Sequence, residues 1–179
     1  MCIRDRKEPE IASALDRCDV SLDVHRAANL AWFHAAGLDD ELALAIWSRD
    51  GHPDATFAFS DSAPVMAALR EQGVAVAVVS DIHFDVRDHF RRHELDQFVD
   101  AYVLSYEHGI QKPDAAMFTL ALDALGVTAD QALMVGDTPA NDGGAAGVGI
   151  ATFILPGPFR PGRTGPRGLD SVLRLAGIA

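Results

Sequence analysis

The sequence predicts an α/β protein: a Rossmann-like parallel-sheet core with a small all-helical segment in front of it. Residues 8 to about 50 carry their apolar side chains at helical spacing, which predicts helices. From Asp61 onward, short apolar runs of strand length alternate with amphipathic stretches, a pattern typical of parallel sheets with crossover helices. Because 49% of the 179 residues are apolar, the chain can bury a core of its own.

The first region predicts helices with recognisable ends. Gly37 is suited to end one helix, and Asp39 is suited to be the N-cap of the next, which runs to Trp47. Residues 48–57 gather glycine, proline and aspartate without apolar periodicity, so they predict a linker. The apolar positions at helical spacing in this region are Ile11, Leu15, Cys18, Val24, Ala27, Ala28, Ala31 and Ala35.

The second region predicts four strands with helices between them. Pro64 indicates the start of a helix and Gly73 its end. Residues 74–80 form a Val-rich run, as expected of a strand buried on both faces. The remaining elements predicted, in chain order, are a helix at 86–92, a strand at 100–105, a helix at 114–125, strands at 132–136 and 149–155, and a closing helix at 169–175.

Charge and composition restrict the class of partner. A net charge of -11 and a pI near 4.9 argue against a nucleic-acid groove or an anionic membrane surface. No apolar run reaches the length of a membrane span. The chain has two cysteines, Cys2 and Cys18, which favours a reducing compartment. We therefore expect a cytoplasmic protein with a small-molecule partner, and neither a nucleic acid nor a membrane as a partner.

Polar residues follow three of the predicted strands. Ser80 and Asp81 close the first, Lys112 lies in the loop after the second, and Asp137 follows the third with Asp142 close behind. The carboxyl ends of parallel strands are where such sheets bind ligands. A hydroxyl and an ammonium can hold phosphate oxygens, and carboxylates are the ligands that Mg²⁺ prefers. These residues therefore predict a site for phosphate and magnesium.

Each of these residues also has an ordinary structural interpretation. Ser80 could end a strand, Lys112 could be a solvated loop residue, Asp137 could belong to a turn and Asp142 could cap a helix. The chemical interpretation is favoured because the residues fall at three successive strand ends, in order. Residues 143–149 are rich in glycine, but the G-x-G-x-x-G repeat of a dinucleotide site is absent.

The segments VVSD, GIQKPD and MVGDTPAND occur in this order and resemble the second, third and fourth motifs of the haloacid dehalogenase-like hydrolase superfamily. The resemblance covers residues 61–156, and the helical segment before them resembles the cap that many members insert. It implies that Ser80, Asp81 and Lys112 bind phosphate and that Asp137 and Asp142 hold Mg²⁺. Ser80 and Lys112 would also act in catalysis. Many relatives carry Asn where Asp81 stands.

The first motif of that superfamily is an apolar strand ending in D-x-D-x-T, and nothing in the sequence matches it. Asp5 lies in a charged run, and Asp16 and Asp19 lie on a helical pattern. The opening MCIRDRKEPE has no strand pattern and no apolar segment of a signal peptide. We therefore expect a non-native start at residues 1–7, a helical cap at 8–54, and an N-terminally truncated core at 55–179 that lacks its first strand.

The resemblance implies a Mg²⁺-dependent phosphomonoester phosphatase that passes through an aspartyl-phosphate in the intact parent. Dehalogenase relatives lack the acid that stands here as Asp137, and phosphonate hydrolases need a cap lysine, for which only Lys7 is present. The expected substrate is a small phosphorylated metabolite. We expect this chain to be inactive because the nucleophile is absent. A non-catalytic phosphate-binding or interaction module is the alternative, and a poorly folding fragment is a third.

The Gly-, Pro- and Arg-rich stretch at 157–168 has two interpretations. We favour a mobile surface connection between the last strand and the closing helix. The other interpretation is a loop that brings arginine to the mouth of the site, because it follows the carboxyl end of a strand.

Overall fold

A computed structural model describes residues 9–52, 54, 56–155 and 165–178. The first region contains three helices, α1 (Pro9–Leu15), α2 (Leu22–Ala35) and α3 (Asp40–Trp47). The proposed non-native start at 1–7 lies outside the described residues.

The helix ends in this region follow from local chemistry. Asp39 is the N-cap of α3, as predicted, and its side chain accepts a hydrogen bond from the Leu42 N–H at 2.9 Å. Gly37 has a φ of 91° just after α2, a conformation that glycine adopts without strain. Cys18 lies in the turn after α1 rather than on the helix, so the helical spacing was misleading there.

The four predicted strands are present, each four residues long, with helices between them. They are shorter than expected because polar contacts take over at their ends: the Val76 N–H donates to the Asp100 side chain instead of a strand, and Ser105 already begins a helix. The elements are α4 (Ser62–Glu71), β1 (Ala77–Ser80), α5 (Arg87–Arg92), β2 (Ala101–Leu104), α6 (Ser105–His108), α7 (Ala115–Leu125), β3 (Leu133–Gly136), α8 (Pro139–Asp142), β4 (Ala151–Ile154) and α9 (Asp170–Leu175), with 3₁₀ helices at Asp96–Phe98, Ala129–Gln131 and Gly143–Val148.

The strands form two parallel pairs. β1 pairs with β2, and β3 pairs with β4, so within the described residues the sheet consists of two separate two-stranded ladders. The helix α7 packs against both halves: Met117 contacts Val103 of β2, whereas Phe118 contacts Ala145 and Ile150 beside β4. The fold is therefore a Rossmann-like α/β core with helices in front of it, as predicted.

One carboxylate, that of Asp61, links the first residues of the core to the segment before its last helix. Asp61, just before α4, accepts hydrogen bonds from the backbone N–H groups of Arg167, Gly168 and Leu169 at 2.7 to 2.9 Å. Burial would raise the pKa of Asp61, but these three hydrogen bonds outweigh it and hold the pKa below its usual range. Asp61 thus holds the turn that leads into α9. Among the described helices, none is long and apolar enough to cross a membrane.

Candidate functional site

A buried ion pair joins two of the predicted site residues. Lys112 Nζ lies 2.6 Å from Asp142 Oδ1, and the two residues are 9% and 3% exposed. Burial would raise the pKa of Asp142, but the Lys112 ammonium and the backbone N–H groups of Thr138 and Asp137 keep it below its usual range. The pair brings the loop after β2 against the turn after β3, so residues that are 30 apart in sequence share one site.

The second oxygen of Asp142 organises the turn that carries Asp137. Asp142 Oδ2 accepts hydrogen bonds from the N–H groups of Asp137 at 2.8 Å and Thr138 at 2.9 Å. A Cβ atom at Gly136 would collide with this carboxylate. Glycine is therefore required before Asp137, because the carboxylate of Asp142 fills the space of a side chain.

Asp81 also has both carboxylate oxygens engaged. Oδ1 accepts the Lys112 backbone N–H at 2.8 Å, and Oδ2 accepts the Asn141 side-chain N–H at 2.9 Å. These contacts link the loop after β1 to those after β2 and β3, which brings the strand ends together. The neighbouring Ser80 closes β1, and its hydroxyl makes no hydrogen bond within the described part of the chain.

Asp137 is the more accessible of the two carboxylates after β3. Its Oδ1 accepts from the Thr138 hydroxyl at 3.1 Å, and its Oδ2 lies 2.8 Å from Arg167 Nη2. The guanidinium also lies over the ring of Phe59, 5.1 Å from its centroid. Of the loop at 157–168, residues 165–168 are described, and Arg167 among them does reach the site, which favours the second interpretation of this loop. The sequence analysis considered arginine of this loop only as a group and did not single out Arg167, and it did not consider Asn141.

The donor atoms suit Mg²⁺. Mg²⁺ is usually bound by one or two carboxylates and keeps several waters, and Asp137 presents a carboxylate that is 37% exposed. Asp142 is held by Lys112 and two N–H groups, so it can order the surroundings of the ion. Asp137 would therefore bind the ion directly, with Asp142 behind it.

The acidic residues considered for the first motif lie elsewhere. Asp16 and Asp19 are in the turn between α1 and α2, not on a helix, and the backbone carbonyl of Asp16 accepts from the Gln111 side chain at 2.8 Å. Asp5 is outside the described residues. Within those residues, no strand pairs with both β1 and β3.

A second group of polar side chains lies where the helical region meets the core. His25 Nδ1 is 2.7 Å from Asp19 Oδ1, and His25 Nε2 is 3.1 Å from Asp50 Oδ2. Burial would lower the pKa of His25, but the hydrogen bonds with Asp19 and Cys18 outweigh it and raise the pKa to about 10. None of these residues was assigned a site role from the sequence.

Comparison with known proteins places these observations in a family. The profile of the haloacid dehalogenase-like hydrolases matches residues 11–149. A ribulose-1,5-bisphosphate 5-phosphatase of Halopiger xanaduensis is 34% identical over 120 residues, which are 65% of this chain and 49% of that protein. Further curated relatives are named as phosphatases of glyceraldehyde 3-phosphate, phosphoserine and phosphoglycolate. The chain spans about half the length of the curated relatives it matches, or less.

Solved structures share the fold. A HAD phosphatase from Thermococcus onnurineus has a TM-score of 0.67 and 21% identity, covering 97% of this chain and 79% of that one. An L-2-haloacid dehalogenase from Xanthobacter autotrophicus has a TM-score of 0.63 and 19% identity, covering 85% of this chain and 69% of that one. The fold therefore occurs in both phosphatases and dehalogenases, while the curated relatives are phosphatases. The chain belongs to the haloacid dehalogenase-like hydrolase family.

Proposed function

We propose that the residues at the strand ends form the phosphate and magnesium site of a phosphomonoester phosphatase that acts on a small phosphorylated metabolite. The observation that supports it most is the chain of contacts from Lys112 through Asp142 to the backbone of Asp137. In this proposal Asp137 binds Mg²⁺, with Asp142 behind it. Lys112 and the Ser80 hydroxyl hold phosphate oxygens.

Asp81 has a different part in this arrangement. A carboxylate would repel a phosphate, and both of its oxygens already accept hydrogen bonds from Lys112 N–H and Asn141. We therefore assign Asp81 to positioning the Lys112 loop, at the edge of the phosphate site, rather than to contacting the phosphate itself.

The balance of charge at the strand ends supports a role for a metal ion in the proposed site. Three carboxylates, those of Asp81, Asp137 and Asp142, lie with two cations, Lys112 and Arg167. Without a metal ion the site is net negative and repels phosphate, whereas a divalent cation makes it net positive. Mg²⁺ would also polarise the phosphoryl group. Phosphate binding should therefore depend on Mg²⁺.

The nucleophile decides whether this chain turns over a substrate. In the intact parent, a carboxylate would attack phosphorus and form an aspartyl-phosphate. Within the described residues, no strand between β1 and β3 presents such a carboxylate beside Lys112. In the proposal, the chain binds phosphate but has little or no phosphatase activity.

Calorimetric titration of orthophosphate into the metal-free chain and the Mg²⁺-loaded chain tests the binding site. We expect binding with Mg²⁺ only, and its loss in Asp137→Asn. The Asp137 side chain is partly exposed, so this isosteric change should leave the chain folded. Asp170→Asn, an exposed carboxylate on α9, is the matched control and should bind as the wild type does. Equal phosphate affinity with and without Mg²⁺ would contradict the proposed site.

Turnover of a generic aryl phosphate with Mg²⁺ tests the activity. Robust turnover that Lys112→Ala abolishes would show that the chain has its own nucleophile, and would overturn the proposed inactivity. In that case, ribulose 1,5-bisphosphate, glyceraldehyde 3-phosphate and phosphoserine form a reasonable first panel, because relatives are named for them.

A non-catalytic phosphate-binding module is the second candidate, favoured by the same absence of a described nucleophile. Phosphate binding that persists without turnover of any panel compound would support it. We also propose a cytoplasmic location, because the thiol of Cys18 is unpaired and buried, as suits a reducing compartment.

A further inference from the structure

Five side chains with metal-binding atoms converge where the helical region meets the core. Cys18 and Asp19 lie in the turn between α1 and α2, His25 lies on α2, Asp50 follows α3, and His83 lies in the loop after β1. This cluster, called the junction cluster here, is separate from the predicted magnesium site. Its sulfur and imidazole donors are typical of zinc sites, whereas Mg²⁺ prefers oxygen.

The donors are closest together on one side of the His25 ring. His25 Nδ1 lies 2.7 Å from Asp19 Oδ1 and 3.3 Å from Cys18 Sγ, and one ligand atom from each of the three residues lies within 4.8 Å of the others. His83 Nδ1 is 3.8 Å from the same Asp19 oxygen. A tetrahedral ion with bonds of about 2.0 to 2.3 Å holds its donors about 3.3 to 3.8 Å apart. The atoms of Cys18, Asp19 and His25 need only small shifts to hold such an ion at three of its four positions.

At the opposite edge of the His25 ring lies a carboxylate, which is the usual partner of a metal-bound imidazole. His25 Nε2 lies 3.1 Å from Asp50 Oδ2. Imidazoles that bind a metal through one nitrogen commonly donate the other N–H to a carboxylate, which fixes the tautomer and orients the ring. This asymmetry indicates that the ion would bind at Nδ1, with Asp50 as the outer partner.

The surroundings hold the two imidazoles in place. Their rings stack with centroids 3.6 Å apart, and His83 and Cys18 are 6% and 3% exposed. The Ser105 hydroxyl lies within hydrogen-bonding reach of the carbonyls of Asp19 and Ile82. The buried Ser105, which directly follows β2, therefore holds the backbone of Asp19 and that of Ile82 close to each other. Ile82 directly precedes His83, so this contact also positions the cluster.

We propose that the junction cluster binds one zinc-class divalent transition-metal ion through Cys18 Sγ, the Asp19 carboxylate and His25 Nδ1, with a water in the fourth position. His83 stacks on the His25 ring and holds it in place. The charges balance, because a thiolate and a carboxylate, together with one neutral imidazole, neutralise a divalent ion. The ion joins the helical region to the core. An ion-paired imidazolium without metal is the competing explanation of the same contacts.

Zinc titration of the metal-stripped full chain against a chromophoric chelator tests this proposal. We expect one zinc per chain, and at least a hundredfold weaker binding in His25→Gln. Asp50→Asn should bind zinc about 10- to 100-fold more weakly, as expected when the carboxylate that orients a metal-bound imidazole is removed. His34→Gln is the matched control: it lies on the same helix and pairs with Asp40 at 3.0 Å, yet it is outside the cluster, so it should bind zinc as the wild type does.

Cobalt substitution tests the sulfur ligand independently. The Co²⁺-loaded chain should show a thiolate-to-cobalt charge-transfer band that Cys18→Ser removes. Zinc should also raise the thermal midpoint of the wild type and His34→Gln but not that of His25→Gln, because an ion that binds the folded state stabilises it. Cys18→Ser is nearly isosteric, so it answers the question even if His25→Gln fails to fold.

Four outcomes would overturn the proposal. The first three are zinc affinity in His25→Gln equal to that of the wild type, a cobalt spectrum without the thiolate band, and no stoichiometric binding to the wild type. The third of these would favour the ion-paired imidazolium. Asp137→Asn should bind zinc unchanged, and loss of binding in that variant would place the ion at the strand-end site instead.

Discussion

Replacing Lys112 with methionine should be among the most destabilising single changes in the core. The side chain is 9% exposed and its Nζ lies 2.6 Å from an Asp142 oxygen. Methionine fills a similar volume but leaves the Asp142 carboxylate buried without its cation. Breaking a buried pair in this way costs about 3 to 5 kcal/mol, which for a chain of this size corresponds to a fall of about 6 to 20 °C in Tm.

Urea and thermal unfolding of Lys112→Met, Asp142→Asn and the double variant form a cycle that isolates the pair. Asparagine keeps an oxygen that can accept the N–H groups of Asp137 and Thr138, so the double variant should recover more than half of the loss. Arg174→Met is the matched control, because its pair with Asp170 has a similar distance of 2.9 Å but is exposed; it should cost at most about 1 kcal/mol. If Lys112→Met lowers the free energy of unfolding no more than Arg174→Met does, the reasoning is refuted.

Four further predictions concern Asp61, Gly136 and Arg167. Asp61→Ala should lower the free energy of unfolding by about 1 to 3 kcal/mol, since it leaves three N–H groups in the turn before α9 without their acceptor; an unchanged urea midpoint would contradict this. Because the folded pKa of Asp61 is depressed, its stabilisation is complete above its unfolded pKa of about 4 and is lost as the pH falls through the lower folded value. Asp61→Asn should therefore weaken the acid dependence of stability, measured by unfolding at stepwise lower pH. Gly136→Ala should displace the Asp142 carboxylate and weaken Mg²⁺ binding in calorimetry, whereas a normal Mg²⁺ affinity would show that the turn tolerates a Cβ. Arg167→Gln should strengthen Mg²⁺ binding several-fold, because it removes the guanidinium that pairs with Asp137, and equal affinity would argue against this competition.

The parts of the fold that the sequence predicts are those with a local cause. The Val-rich run does form β1, although its four residues are half-buried rather than buried on both faces as expected. The Asp39 side chain caps α3 through the nearby Leu42 N–H. The order and approximate bounds of such elements can therefore be predicted from the sequence. Strand ends are less predictable, because a side chain distant in sequence competes for the backbone, as Asp100 does at Val76. The approach of Lys112, Asp137 and Asp142 to one another could be anticipated, since parallel strands end at the same edge.

The unpredicted contacts are those between distant segments. Arg167 meets Asp137 through a loop with no periodic pattern. His25 meets His83 only because the helical region packs against the loop after β1. A lone histidine on a helix gives no local signal of such a partner, and the two residues are far apart in the sequence.

The division of the sheet into two ladders has a consequence for hydrogen exchange. In a parallel sheet, a strand directs alternate amides to opposite neighbours, and β1 and β3 each have one strand neighbour among the described residues. Alternate amides along these two strands should therefore exchange with solvent deuterium much faster than those in between, although all lie in the same short strand. An added extended segment that pairs with both open edges would slow those amides together and merge the two ladders into one cooperative unit.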